Sequence, residues 1–467
     1  MERSDTAAVV SPGLRLRRWR PVRLHPLWVP GIAFCVFVCC ELMLVVVLAA
    51  GRSPLVPGVH GVSDSIAGPF AHLGGTVLQG DNAYRWAFAG LVLAMGACYA
   101  ILAAHSARLS QRWWLLAIAI ASAVIVLGPP LLLTDSYNYL SFARLGVLHG
   151  LNPYTHPPAD AMTDPFFPLA SWHRQPTPYG PLFTLLTYPL AWLGIAGGLW
   201  ALKAATVAAG VGAVAVLGRC ARRLGQSPSR AAVLLGLNPI VLVYGMGGVH
   251  NDFFMELAFL GAVYFVLAER ERAAGWAGAA AAGLKASAIP LLPFLVLGAR
   301  RRLSALAWML GGAAAVAAVT LVAFGDRAPG LAQQQASVTR FSLPHIVSAL
   351  LGHAAYRRCP AVYVCATPAT EWGATVVFGL GLLALLWWAW RGADWITCAG
   401  WAAILFVLTL TAVMPWYLVW VLPLAILSRS SRLRTATGAL AGFLLFTTQP
   451  FQHLIPYIDH RVVAHFF

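Results

Sequence analysis

Apolar runs long enough to cross a bilayer recur along this chain, and they constrain its fold more than any other feature. A helix needs about 20 predominantly apolar residues to span the hydrocarbon core, where no water is present to satisfy exposed backbone groups. Hydropathy places spans at 27–50, 86–104, 113–133, 198–218, 232–248, 253–268, 272–284, 286–298, 304–324, 373–390, 395–413, 416–428 and 435–450. The arms 272–284 and 286–298 are each too short to cross alone and read as one broken hairpin. Hydrophobic residues make up 59% of 467 positions and charged residues 10%, against roughly half and a quarter in a soluble domain. The expected fold is therefore an all-α polytopic membrane protein of about thirteen transmembrane helices. The first run is too long for a signal-peptide core, and Ala49-Ala50-Gly51 is a weak cleavage site, so it reads as a helix.

The net charge of +16 would suit nucleic acid, but its distribution argues against that partner. Most arginines sit in short loops between apolar runs, the pattern that sets membrane orientation. With a cytoplasmic N-terminus, 21 of the 30 Arg fall on inside segments and nine outside. The domain reading is a basic cytoplasmic tail over 1–26, one membrane-embedded domain over 27–450, and an extracytoplasmic tail over 451–467. Pro181 to Ala196 is apolar too, but counting it as a span would invert every later loop. It reads as a partly embedded helix at the outer face, a placement tolerated when it is covered by protein. Of eight Cys, six lie in or beside apolar runs as small hydrophobes. Cys359 and Cys365 share an outer loop, where a disulfide between them is one of two open states.

Inside loops are short turns, whereas the outer segments 51–85, 134–180 and 325–372 are long, which marks functional loops. Four polar clusters fall on that outer side. They are Thr134 to Tyr139; Trp172 to Pro181; His250-Asn251-Asp252 with Glu256 one turn later; and Met414-Pro415-Trp416-Tyr417. A carboxylate that takes a proton from an attacking hydroxyl, cations that meet a departing phosphate, and aromatic and amide groups that hold sugars are what transfer from a lipid-phosphate sugar requires.

Asp135 is the candidate base, and its alternative is a helix cap, a common task for Asp. Arg144, Arg174 and Lys285 are candidates for the donor phosphate. Arginine's planar fork suits that anion, although a lipid headgroup or surface partner is the competing use for either Arg. Lys285 interrupts an apolar stretch where two half-helices meet, and an intramembrane ionisable group is by default a functional hypothesis. Tyr137, Tyr139, His173, Tyr179, His250, Asn251, Asp252, Glu256, Trp416 and Tyr417 are the candidate sugar and acceptor contacts. Asp252 and Glu256 lie at i, i+4 on one helix face, where sugar binding, a metal, a second base or a satisfied helix terminus all remain open. No zinc motif, phosphate-cradling glycine loop, dinucleotide fingerprint or serine elbow is present, and no metal or cofactor is expected.

At these clusters the sequence resembles the actinobacterial polyprenol-phosphomannose-dependent α-1,6-mannosyltransferases of the GT-C superfamily. The resemblance is carried by Asp135-Ser136-Tyr137-Asn138-Tyr139, Gly150-Leu151-Asn152-Pro153-Tyr154, Thr177-Pro178-Tyr179-Gly180-Pro181-Leu182, Gly247-Gly248-Val249-His250-Asn251-Asp252, Leu284-Lys285-Ala286 and Pro415-Trp416-Tyr417. It implies a GT-C-like fold, a multi-pass cell-membrane location with an outward active site, and a β-linked polyprenyl-phosphate mannose donor. It further implies inversion to an α-linked product on a glycolipid or oligomannoside acceptor, and an early outer-loop aspartate as base, which maps onto Asp135. The competing readings are transfer of arabinofuranose, formation of an α-1,2 linkage, a transporter or flippase for a lipid-linked sugar, and a non-catalytic assembly subunit.

Overall fold

A computed structural model of the chain describes residues 28–49, 64–71, 73, 78, 80–131, 134–326, 339, 341–351, 366–448, 450 and 451. All regular structure among them is helical. The helices are α1 (Trp28–Ala49), α2 (Asp64–Ala67), α3 (Asp81–Ala104), α4 (Gln111–Val126), α5 (Asp135–Val147), α6 (Pro181–Thr187), α7 (Gly194–Arg223), α8 (Pro228–Gly236), α9 (Asp252–Leu267), α10 (Glu271–Leu284), α11 (Leu292–Gly298), α12 (Arg302–Phe324), α13 (Leu343–Leu350), α14 (Pro368–Trp390), α15 (Trp395–Thr409), α16 (Leu418–Leu427) and α17 (Ser431–Phe446). Among the described residues, five continuous helical stretches are long and apolar enough to cross a membrane, and α8 with the following turn Ile240–Met246 adds a pair bent by 52°. The other apolar helices, including α4, α15 and the 286–298 and 415–427 segments, are shorter. The expected tail 1–26, most of the outer loops 51–85 and 325–372, and both Cys359 and Cys365 lie outside the described residues.

Contacts sort the loops into two ends. Ser229 Oγ donates to the Leu109 carbonyl at 2.9 Å, Arg222 to Gln111 Oε1 at 2.7 Å, and Gln226 to the Leu427 carbonyl at 2.6 Å. The hydroxyls of Thr397 and Ser428 meet at 2.6 Å, and Arg300 pairs with Glu269 at 2.6 Å. The arginine-bearing loops thus touch one another at a single end of the bundle. Asp135, His250, Lys285 and Trp416 gather at the other.

Local chemistry explains the breaks that build this second end. Gly194 has φ +68°, a conformation costly for any residue with a Cβ. It turns the chain so that the Leu190 carbonyl packs at 3.0 Å from where a Cβ on Gly198 would stand. The 181–193 segment therefore folds back beside the start of α7 and against α5 and α10. At Asn238-Pro239 the missing proline N–H ends α8. The Asn238 side chain then accepts from the Ile240 and Val241 amides at 3.0 and 3.4 Å and starts a π-helical turn. That turn closes through Gly247-Gly248, where a Cβ would strike the Val243 carbonyl and the His250 ring, respectively. The next residue, Val249, is held at φ +58°, a strain of about 1–3 kcal/mol that persists only where surrounding packing over-determines it. Val249 is fully buried.

The loop between α5 and α6 is pinned by a buried ion pair. Arg144 Nε lies 3.0 Å from both Asp164 oxygens and Arg144 Nη1 donates to the Ala191 carbonyl at 3.0 Å, while His149 Nε2 meets Asp164 at 2.8 Å. Burial pushes the Asp164 carboxyl up, but the Arg144, His149 and Phe166 amide bonds outweigh it and hold it below the usual range. Removing Arg144 would leave a carboxylate that is only 6% exposed without its cation. Arg144→Ala is expected to lower stability by about 3 kcal/mol, the scale for breaking a buried pair, read as a fall in detergent melting temperature. An unchanged melting temperature would contradict this bracing role.

Candidate active site

Five elements meet at the end opposite the arginine-bearing loops. Asp135 is the first residue of α5, where the helix N-terminus favours a carboxylate. Thr134 makes no capping hydrogen bond to α5. The Asp135 carboxylate instead faces across the site, with Oδ1 accepting from the Tyr179 hydroxyl at 3.3 Å and Oδ2 3.0 Å from His250 Nδ1. The His250 contact lacks hydrogen-bond alignment, and the ring is 1% exposed. Its face stacks on Trp416, centroids 3.5 Å apart and planes at 13°. Burial raises the Asp135 carboxyl, but the opposing effects of His250, Lys285 and the Tyr179 hydroxyl win and hold it below the ordinary carboxylate value. Asp135 is therefore an anion at neutral pH. The same charge helps push the buried Tyr179 phenol well above its ordinary range, after burial itself.

The loop that brings Tyr179 is fastened to α5 one turn past Asp135. Asn138 Oδ1 accepts from the Ser171 and Trp172 amides at 3.0 and 3.3 Å, and Ser171 Oγ contacts Thr134 Oγ1. Trp172 then stacks on Tyr179 (5.7 Å, 8°), and Tyr139 packs edge-on to it at 4.5 Å. Tyr154 donates to the Tyr179 carbonyl at 2.8 Å. Gly180 lets this loop touch the broken helix, since a Cβ there would run into the Gly283 and Leu284 carbonyl oxygens.

Lys285 stands where α10 ends, in extended backbone. Its Nζ donates to Asp252 Oδ2 at 2.7 Å and Asn251 Oδ1 at 3.0 Å, and lies 5.8 and 5.5 Å from the Tyr417 and Trp420 ring centroids. Trp420 Nε1 completes Asp252 by donating to Oδ1 at 2.6 Å. The Tyr139 hydroxyl accepts from the Asn251 amide at 3.3 Å. Lys285 keeps 16% of its side chain exposed, whereas Asp252 keeps none.

The structure thus unites Asp135, Tyr139, Tyr179, His250, Asn251, Asp252, Lys285, Trp416 and Tyr417. The other expected residues stand in different surroundings. Asp252 is spent on Lys285 and Trp420 and has no surface for a sugar. Glu256, one turn deeper, is 2% exposed, so neither carboxylate is an accessible acceptor contact. Tyr137 is fully buried with its hydroxyl unpartnered. Arg144, nine residues beyond Asp135 on α5, is paired with Asp164. His173 turns to the Phe167 carbonyl at 2.7 Å and stacks on that ring at 4.2 Å. Arg174 is exposed on the same loop. Trp420 was not singled out by sequence, although its position one turn after Trp416 and the need of a buried indole N–H for an acceptor were a signal. Among the described residues no three His, Cys, Asp or Glu side chains gather as metal ligands.

Residues 42–301 match the family model described as alpha-(1->6)-mannopyranosyltransferase, N-terminal domain. The chain belongs to this family. Residues 364–463 also match the MptB C-terminal domain. Alpha-(1->6)-mannopyranosyltransferase A of Mycobacterium tuberculosis is 28% identical over 344 residues, 68% of this chain and 66% of that protein. The probable alpha-(1->6)-mannopyranosyltransferase of Mycolicibacterium smegmatis is 31% identical over 159 residues, 31% of this chain and 27% of its own length. Alpha-(1->6)-mannopyranosyltransferase A of Corynebacterium glutamicum is 30% identical over 189 residues, 37% of this chain and 36% of its own length. The chain thus spans just under two thirds of the first of these relatives and about a third or less of the others. No solved structure matches.

The family's matched region carries both halves of the Lys285–Asp252 pair, whose energetics are directly testable. Lys285→Met strands a fully buried carboxylate and is expected to cost about 3–5 kcal/mol, while adding Asp252→Leu recovers most of it, because removing both charges of a buried pair is far cheaper than removing one. Thermal melts of the single and double variants check this; equal losses would show that the pair is not coupled.

Proposed function

We propose that this protein transfers mannose from a polyprenyl-phosphate mannose to a mannan or lipoglycan acceptor, forming an α-1,6 linkage with inversion. One observation carries the reading: Asp135 is a partly exposed carboxylate contacted by His250 and Tyr179, in a chain whose family is named for α-(1→6)-mannosyl transfer.

The step needs one displacement. The acceptor primary hydroxyl attacks the anomeric carbon as the bond from that carbon to the phosphate oxygen breaks. The leaving phosphate keeps the bonding electron pair, and Asp135 takes the hydroxyl proton. Attack opposite the leaving group turns a β-linked donor into an α-linked product. Proton transfer to a positioned base contributes typically about 10²–10⁴-fold. Lys285, the partly exposed cation of the cluster, faces the departing phosphate, with Arg174 on the neighbouring loop as a second cation. Tyr417 and Trp172, the half-buried rings of the cluster, supply the surfaces on which sugars pack. The chain crosses the membrane about thirteen times, and its arginine loops face the cytoplasm as the positive-inside rule requires. Asp135 then opens to the extracytoplasmic face, away from nucleotide sugars and within reach of a lipid-linked donor.

Asp135→Asn is expected to reduce turnover by about 10³-fold with little change in donor binding, read by label transfer from polyprenyl-phosphate mannose to an oligomannoside in proteoliposomes. Full activity in this variant would exclude Asp135 as base. The lowered Asp135 carboxyl gives a sign for pH as well. The base form persists to below the ordinary value, roughly pH 4, and is lost only as pH falls further. His250→Gln removes the largest opposing effect and leaves the burial effect, so the acid limb of kcat/KM should move to higher pH. A limb that stays in place would show that His250 does not tune the base.

A further inference from the structure

At the arginine-bearing end, the first turns of α10 and α12 border a cleft of about 520 Å³. Its walls include Arg270, Glu271, Arg272 and Trp276 from one helix and Ser304 and Trp308 from the other. The two helices touch backbone to backbone beside it. A Cβ on Gly275 would stand 2.6 Å from the Met309 nitrogen and 2.7 Å from the Trp308 carbonyl carbon. Trp276 and Trp308 adjoin that contact in sequence, so both indoles stand at one place in the cleft. The Arg272 guanidinium lies 4.9 Å from the Trp308 ring centroid, and both indoles remain exposed.

The positive charge of this cleft is unspent. Glu269 is taken by Arg300 at 2.6 Å, and Glu271 Oε1 accepts from the Arg301 amide at 3.3 Å. Among the described residues, Arg270 and Arg272 have no carboxylate within ion-pair reach. Over 269–272 and 300–302, five arginines stand against two glutamates. The tail 1–26 does not suit the cleft as an occupant, because it carries six arginines against two acids. An apolar strip runs on from the cleft along α12, where Leu303 and Leu310 lie two turns apart and are 83% and 60% exposed. Cations, amphipathic rings and an apolar strip therefore follow one another from the helix starts towards the middle of the bundle.

We propose that this cleft binds an anionic phospholipid, with its phosphodiester at Arg270 and Arg272 and its acyl chains along Leu303 and Leu310. Arginine's planar fork matches a phosphate, and basic pockets between membrane helices suit anionic headgroups. Trp276 and Trp308 stand at the height where indoles meet the headgroup boundary. The order of the parts selects the class. A soluble phosphate compound would use the arginines and leave the leucine strip uncovered. A zwitterionic lipid would bring its own ammonium group against five arginines. The site owes nothing to the sugar donor; the orientation proposed above makes its leaflet the cytoplasmic one. From Arg272 to Lys285 α10 rises roughly 20 Å. An occupied cleft thus ties to α12 the start of the helix whose far end carries Lys285.

The test titrates the full chain, purified in detergent and stripped of lipid, with phosphatidylglycerol or phosphatidylcholine of matched chains, read by native mass spectrometry. The wild type should bind phosphatidylglycerol more tightly by at least about tenfold. The double variant Arg270→Gln with Arg272→Gln should lose most of that preference. Arg429→Gln with Arg432→Gln, which removes the same charge from another exposed loop of this end, should keep it. Equal binding of the two lipids by the wild type, or equal loss in both double variants, overturns the site. Glycerol phosphate, which carries the anion without chains, should displace little phosphatidylglycerol at millimolar concentration. Full displacement would assign the cleft to a soluble phosphate compound and overturn the lipid. A second measurement needs no variant. Phosphatidylglycerol with a diazirine high on one acyl chain should label peptides containing Trp276 and Trp308 above all others. Labelling spread evenly over the bundle, or matched at those peptides by the phosphatidylcholine probe, contradicts the proposal.

Discussion

The buried contact between Lys285 and Asp252 is the constraint on which the site is assembled. Each group lies in a predominantly apolar bundle, and either alone would be costly to keep charged there. Together they fix two weak points of the backbone, the broken end of α10 and the turn that follows the π-helical segment. Asn251 and His250 precede Asp252 on that turn, so anchoring Asp252 sets the places of both. Trp420 completes the second carboxylate oxygen and ties in the segment that carries Trp416. The ion pair contributes little net stability once desolvation is counted. Its contribution is registry, in that four segments distant in sequence can meet in only one arrangement.

On this frame the reactive carboxylate is placed by softer contacts. Asp135 is not buried in an ion pair of its own. It touches a histidine flattened against an indole and a tyrosine sandwiched between Trp172 and Tyr139. A base of this kind stays ionised yet keeps part of its surface open, at 15% exposure. The contrast with Asp252 is chemical: one aspartate is saturated by a cation and an indole and serves the fold, while the other has room for a hydroxyl.

Much of this was legible in the sequence. Apolar runs announced helices, and the residues in Asp135 to Tyr139, Tyr179, His250 to Asp252, Lys285 and Trp416-Tyr417 do converge. What the sequence left hidden has identifiable reasons. Arg144 read as a free cation because its partner, Asp164, lies 20 residues on in a loop without periodicity. Asp252 and Glu256 share a helix face as their spacing requires, but which way that face turns depends on Lys285, more than 30 residues away. Tyr137 and Tyr139 alternate around α5, and only tertiary packing decides which reaches the site. The segment 181–196 read as separate from the span that begins at 198, but the residue of the reversal was not legible, because Gly194, Gly197 and Gly198 lie close together and only the first takes a positive φ. Hydropathy gave thirteen runs, whereas among the described residues five stretches and one bent pair are long and apolar enough to qualify as spans by themselves. Short helices that lean on neighbours carry no length signal of their own.

The account depends on which side of the membrane the Asp135 end occupies. Arg174 is exposed beside the cluster, so a cysteine placed there in a background lacking the native cysteines reports the side directly. A membrane-impermeant maleimide should label Arg174→Cys in intact cells, with no further gain when inverted vesicles are treated. Labelling confined to inverted vesicles would put the carboxylate among nucleotide sugars and remove the basis for a lipid-linked donor.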